Sequence, residues 1–415
     1  MSTFIINLHQ AVYSLSDALD LVGVTHIHHG KRVAYMAAEC GKCLKWTVPR
    51  LDDLYVAAML HDCGVSKTIV HSNLKQMEWE NDNEHCVLGE ALLKQCAPLA
   101  YLSGVIRYHH THWSVLQDLD LPLEVKMAAN CIYLTDRVDL LTVVAMENQP
   151  NILLCREDVT AQIVARKGDW FCPELVDAFV NVAVSEAFWF CLEREQVDSY
   201  ALTRTEHERK YQVDFKDVRS LVNLFSYIVD AKSPFTAEHS MGVGRLARYL
   251  GEQMKLPEKS CDTLELAGLL HDLGKLRVPD QYIEKPGRLT SQEYSLVQRH
   301  SFDTYNVLKN IPGFEEVALW TSQHHERLDG SGYPYHLCDA ALSLEARIVA
   351  VADVFQALSQ DRPYRSAMQP LEVLGVLKED VCAGKLDKQV VDSVEENLEA
   401  CWHIAINTSD PVNPA

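Results

Sequence analysis

The sequence predicts an all-α protein made of two tandem helical units, and three observations carry that prediction. Apolar residues recur at helical spacing along most of the chain. Runs that alternate polar and apolar residues are scarce, so any strands are short. A set of histidines and aspartates occurs twice in the same order, as two copies of one unit would place it. A length of 415 residues suits this, being enough for two or three domains that each bury a core.

From the N-terminus onward, "MSTFIINLHQ" lacks the basic region and long apolar run of a secretory signal. "KRVAYMAAECGKCL" reads as an amphipathic helix. Its Cys40 and Cys43 form a CxxC with no second pair at zinc-ribbon spacing, so they read as helix thiols one turn apart. The 13 cysteines are odd in number and scattered, the usage of a reducing, cytoplasmic compartment. "AFVNVAVSEAFWFCLE" comes nearest to the roughly 20 apolar residues of a membrane span. Asn181, Ser185 and Glu186 interrupt it. Between about Glu193 and Val213 the chain turns polar and charged, the expected boundary and a charged joining helix. That divides the chain into 1–205 and 206–415. Further on, "HSMGVGRLARYLGEQM" is helical, and Leu344 to Gln360 places Ile348, Val349, Val351, Ala352, Phe355 and Leu358 on one broad apolar face.

Hydrophobic content of 47% with 23% charged residues is that of a soluble globular protein. The net charge of −20, from 38 basic and 58 acidic residues, repels duplex nucleic acid and anionic membranes, so neither is an expected partner. An anionic substrate would need locally concentrated positive charge, from metal ions or a few arginines.

The 18 histidines say more. The C-terminal half reads "AEHS" (His239), "LLHDLGK" (His271, Asp272, Lys275), "RHS" (His300), "QHHE" (His324, His325) and "VADV" (Asp353). The N-terminal half reads "THIHHGKRVA" (His26), "MLHDCGV" (His61, Asp62), "EHC" (His85), "YHHT" (His109, His110) and "LTDR" (Asp136). His300 to His324 is 24 residues, and so is His85 to His109. Imidazole and carboxylate ligate borderline divalent metals such as manganese, iron, nickel and zinc. A His-Asp pair near a helix end can serve one metal while its carboxylate bridges to a second. Two metals about 3.5–4 Å apart suit in-line attack on phosphorus.

At these residues the chain resembles a known family. "HDLGKLRVPD…KPGRLT", "HHERLDGSGYP" and "ADVFQALSQDRPYR" make the C-terminal half similar to an HD-GYP phosphodiesterase domain, and the N-terminal half resembles a degenerate HD domain. The resemblance implies an all-helical HD-superfamily metallohydrolase that opens cyclic di-GMP or 3′,3′-cyclic GMP-AMP. It implies two divalent transition-metal ions, with manganese, iron and nickel all compatible. His239, His271, Asp272 and Asp353 would hold one, and Asp272 would bridge to the other on His300, His324 and His325. Asp272 and Lys275 are the implied catalytic residues; Tyr333, Arg362 and Arg365 would contact substrate. Glu326 and Asp329 are expected to pin the loop. Phe235 stands where some members carry a third-metal glutamate, so two metals are expected.

The N-terminal half keeps its metal-type residues but has Val65 where the other half has Lys275, and "THWSVLQDLDLP" where the other has its Gly-Tyr-Pro loop. It is expected to be catalytically silent, with metal binding there left open, and either to modulate the C-terminal domain or to form a homodimer surface. The alternative to an enzyme is a cyclic-dinucleotide sensor or scaffold with little turnover.

Overall fold

Helices carry nearly all the regular structure, as the periodicity predicts. The computed structural model describes residues 3–19, 21, 28–65, 84–149, 151–206, 211–232, 239–285, 287–361 and 365–406. The strands found among them are one short antiparallel pair, Thr3–Ile6 against Tyr211–Asp214, with Phe4 opposite Val213. Alternation explains the first strand: Phe4 and Ile6 are buried while Ile5 is exposed. No described helix is long and apolar enough to cross a membrane.

The chain divides into two compact units. One holds Leu8–Val65 and the described part of 69–209; the other holds residues 3–7 and the described part of 210–415. The N-terminal strand therefore belongs to the C-terminal unit, where Phe4 packs on Phe215 with ring centroids 6.1 Å apart. The expected joining helix covers Arg194–Glu206, and Tyr211–Asp214 beyond it is strand. The polar interruption at Ser185 separates the helix Pro173–Ala183 from a short turn of helix, Glu186–Phe190.

Each unit repeats one order of elements. In the C-terminal unit a helix His239–Gln253 packs on Glu258–Leu270 and on the central helix Leu344–Ser359. Val243, Leu246, Leu266, Ile348, Val351 and Phe355 of these helices are fully buried. The N-terminal unit does the same with His29–Cys43, Val48–Met59 and Leu123–Asn148.

The His-Asp pair occupies the break after the second helix of each unit. His271 caps Glu258–Leu270, and Asp272 opens the short 3-10 turn Leu273–Arg277. Gly274 follows at a close approach of two backbones, since a Cβ there would lie 2.1 Å from the carbonyl oxygen of His300. Gly64 meets His85 in the same way at 2.0 Å. Gly274→Ala must push the Ser291–Leu308 helix away. It is expected to cost about 3 kcal/mol and to lower the melting point of the C-terminal unit by roughly 6–12 °C. Calorimetry checks this, and an unchanged transition would show that the helix yields freely.

Candidate metal centre

His239, His271, Asp272, His300, His324, His325 and Asp353 converge in the C-terminal unit. Helix starts, helix ends and two mid-helix positions supply them, so the centre is held by packed elements and not by one loop. Asp272 lies between two groups. Its Oδ2 is 3.3 Å from His271 Nε2 and 3.6 Å from His239 Nε2. Its Oδ1 is 3.5 Å from His300 Nε2 and 4.0 Å from His324 Nε2. Asp353 closes both groups, with Oδ1 3.4 Å from His239 Nε2 and Oδ2 3.9 Å from His325 Nδ1.

The outer ring nitrogens show which nitrogens face inward. His271, His300 and His324 donate Nδ1–H to the carbonyls of Gly268, Val297 and Thr321, at 2.7, 2.6 and 2.5 Å. A carbonyl only accepts, so each Nε2 is left to the centre. His239 Nδ1–H donates to Gln356 Oε1, and Gln356 Nε2 donates in turn to the Ala405 carbonyl at 3.3 Å. Asp272 Oδ1 is buried without a hydrogen-bond partner. Such an atom is costly unless something else satisfies it, and a divalent cation among these nitrogens fits that need.

For His300 and His324 the electrostatics agree with ligand duty. Burial pushes His300 down to about 4 and His324 to about 3, which keeps both imidazoles neutral. Burial also opposes charge on His271, but the Asp272 carboxylate outweighs it and holds that ring up at about 9. Burial works against ionised Asp272 too, yet His271 and Lys275 hold it well below the usual carboxylate range. Lys275 Nζ donates to Asp272 Oδ2 at 2.6 Å.

The N-terminal unit builds a second centre of similar plan from His29, His61, Asp62, His85, His109, His110 and Asp136. Asp62 again lies between groups, with Oδ2 3.5 Å from His61 Nε2 and Oδ1 3.8 Å from His85 Nε2. His61 and His109 donate Nδ1–H to the Ala58 and Ile106 carbonyls. His26, the expected first ligand, lies outside the described residues. Among the described residues, His29 Nε2 lies 3.4 Å from Asp136 Oδ1 and His110 Nε2 3.9 Å from Oδ2. Two contacts differ from the C-terminal centre: His29 Nδ1 is held by the carboxylate of Asp139 at 2.7 Å, and Arg137 donates to Asp136 Oδ2 at 2.8 Å.

An HD-domain profile matches residues 223–390, and a second HD-domain profile matches residues 27–141. Over 410 residues the chain is 38% identical to the 3′3′-cGAMP-specific phosphodiesterase 1 of Vibrio cholerae serotype O1, across 97% of this chain and 95% of that protein. The chain belongs to the HD-GYP phosphodiesterase family. It is also 39% identical over 157 residues to a cyclic di-GMP phosphodiesterase of Pseudomonas aeruginosa, covering 38% of this chain and 37% of that one. The crystal structure of a cyclic GMP-AMP-specific phosphodiesterase from V. cholerae covers 100% of both chains with a TM-score of 0.64 at 24% identity, a shared fold.

The Gly-Tyr-Pro loop of this HD-GYP protein is anchored beside the centre. Tyr333 stacks toward His325 with centroids 4.8 Å apart. Buried Glu326 accepts from the backbone N–H of Tyr335 at 2.7 Å and of Leu337 at 2.9 Å. Asp329 Oδ1 accepts from Ser331 N at 2.9 Å, the side-chain turn that pins the loop tip. Gly330 uses a positive φ of 77°. Gly332 is needed for a different reason, because a Cβ there would lie 2.4 Å from the backbone of Glu326 and Arg327. Glu326→Ala strands two N–H groups and is expected to destabilise the unit by about 1–3 kcal/mol. Turnover should fall with it as Tyr333 loosens, which melting curves and kinetics on one sample would check.

Arg365 stands at the end of Leu344–Ser359 and donates to the carbonyls of Ala357 at 2.8 Å and Leu358 at 2.9 Å. Its guanidinium fork is thus committed to the orphan carbonyls of a helix end. Arg362 and Phe235 lie outside the described residues. Gln356 and Asp230 escaped the sequence reading. Asp230, whose carboxyl is pushed up to about 7 by burial, accepts from Ser240 N and Oγ and so fixes the helix start that carries His239. For Gln356 a signal existed, since it follows Asp353 by three residues as Asp139 follows Asp136.

Proposed function

We propose that the C-terminal unit opens a 3′,5′-phosphodiester of a cyclic dinucleotide and releases the linear dinucleotide, with 3′,3′-cyclic GMP-AMP preferred to cyclic di-GMP. The observation that carries this is Asp272, set between two groups of inward-facing imidazoles with Lys275 against it. The substrate order draws support from the V. cholerae relative, named for 3′3′-cGAMP, that spans 95% of its own length here.

Two divalent ions fit the residues. His239, His271, Asp272 and Asp353 would hold one, and Asp272, His300, His324 and His325 the other. Manganese, iron and nickel all suit such ligands. Ions bound there neutralise phosphate charge and lower the pKa of the attacking water. The chain's own part is to present Nε2 atoms at fixed positions, those of His300 and His324 on neutral rings, to keep Asp272 ionised, and to bring the Lys275 ammonium and the Tyr333 ring to the reacting phosphate.

The N-terminal centre has the ligands, and His61 Nε2 and Asp62 Oδ1 are buried there without hydrogen-bond partners. An ion fits there too. With Val65 in the lysine position, it has no ammonium for substrate at that place. Asp62→Ala is therefore expected to leave at least half of the turnover; complete loss in a folded variant would move part of the chemistry into the N-terminal unit.

The test is turnover of 3′,3′-cyclic GMP-AMP and cyclic di-GMP side by side on the full chain with manganese. Hydrolysis of both, with the larger kcat/KM for cyclic GMP-AMP, is the expected result. The reverse order would overturn the preference, and tight binding without turnover would make the chain a sensor.

A further inference from the structure

A cyclic dinucleotide brings two phosphates and two purines, and the centre described above engages one phosphate. Beside it the C-terminal unit has a cavity of about 730 Å³, within the range of about 300–1,000 Å³ typical of small-molecule sites. Lys275, Tyr282, Lys285, Arg288, Tyr294 and Val297 line it. Three of these tie it to the centre: Lys275 donates to Asp272, the Val297 carbonyl accepts from His300 Nδ1, and the Tyr294 ring lies 6.1 Å from that of Tyr333.

We propose that this cavity receives the half of the substrate that is not cut, with Arg288 on its phosphate and Tyr294 against its purine. The assignment rests on the functional reading above and adds residues to it.

The two basic residues beyond Lys275 are not equivalent. Lys285 Nζ is paired with Glu293 Oε2 at 2.6 Å, and that same oxygen accepts from Thr290 N at 2.7 Å in the capping box of Ser291–Leu308. Its charge is already matched within the wall. Arg288 is exposed and makes no hydrogen bond or ion pair among the described residues. In a chain of net charge −20, an unmatched guanidinium at the mouth of a cavity next to a phosphodiester centre is placed for a bidentate phosphate contact. Tyr294 is 44% exposed, an aromatic face open to the cavity on a helix whose first turn is fixed by its cap. Base stacking on such a ring is sequence-tolerant because every base has a π-face, so it orients a purine without choosing between guanine and adenine.

The experiment compares the full chain with Arg288→Ala and Tyr294→Ala, loaded with manganese, on two substrates. One is 3′,3′-cyclic GMP-AMP; the other is bis(4-nitrophenyl) phosphate, a phosphodiester with no second nucleotide. Each variant is expected to raise KM for the cyclic dinucleotide about tenfold, equivalent to about 1.4 kcal/mol, with a much smaller change in kcat. The loss in kcat/KM should exceed that on the nitrophenyl ester at least fivefold. Unchanged KM, or equal losses on both substrates, would overturn the assignment. If the full chain cuts the ester but not the dinucleotide, the functional reading fails, and calorimetric binding of the uncut dinucleotide decides the cavity. Tenfold weaker binding by Arg288→Ala would uphold it, and equal binding would overturn it.

Discussion

Asp272→Asn is expected to lower phosphodiester hydrolysis by roughly a thousandfold or more, about 4 kcal/mol of transition-state stabilisation, and to lower the metal content of the C-terminal unit. The asparagine keeps the shape of the side chain and loses one ligating oxygen. Oδ1 faces His300 and His324 while Oδ2 faces His271 and His239, so this one carboxylate serves both groups. Removing the charge also leaves His271 and Lys275 without the carboxylate that balances them. Elemental analysis of the folded variant beside the parent chain, together with turnover, is the check. Two ions retained with a tenth of the parent rate would rule out a bridging role.

The repeat was legible because ligand spacing survives when surrounding sequence drifts. The 24-residue steps to His324 and to His109 each span part or all of one helix, a connection and a second helix. At the N-terminal centre "THIHHG" offers several histidines, and among the described ones the start of the helix at His29 brings that ring to Asp136, a placement that spacing alone does not show. Loop glycines were legible as a turn, but the reason for Gly332 depends on a contact with Glu326 and Arg327 that spacing does not show. Arg365 was expected at the substrate, and the Ala357 and Leu358 carbonyls that its guanidinium meets are not named by "DRPYR" itself. The strand Thr3–Ile6 pairs with residues some two hundred positions away, and four residues of alternation carry no partner's address. The cavity beside Lys275 is invisible in sequence for the same reason: its walls come from separate elements.

Lys275→Met is expected to lower kcat on the cyclic dinucleotide by about a hundredfold or more, the scale of a lost proton donor, while metal content stays at the parent level. An ammonium has three N–H groups. One is given to Asp272 at 2.6 Å, leaving two for the cavity that Lys275 also lines. Methionine preserves an unbranched stem and removes the charge, so packing changes little. The leaving group then separates the two roles open to the ammonium. If Lys275 delivers a proton to the departing alkoxide, bis(4-nitrophenyl) phosphate should lose far less than the cyclic dinucleotide, because nitrophenolate leaves without protonation. If Lys275 instead neutralises a non-bridging phosphate oxygen, both substrates should lose alike. Full activity on both would deny the lysine any part in the chemistry, and with it one of the two reasons for expecting the centre that carries Val65 to be silent.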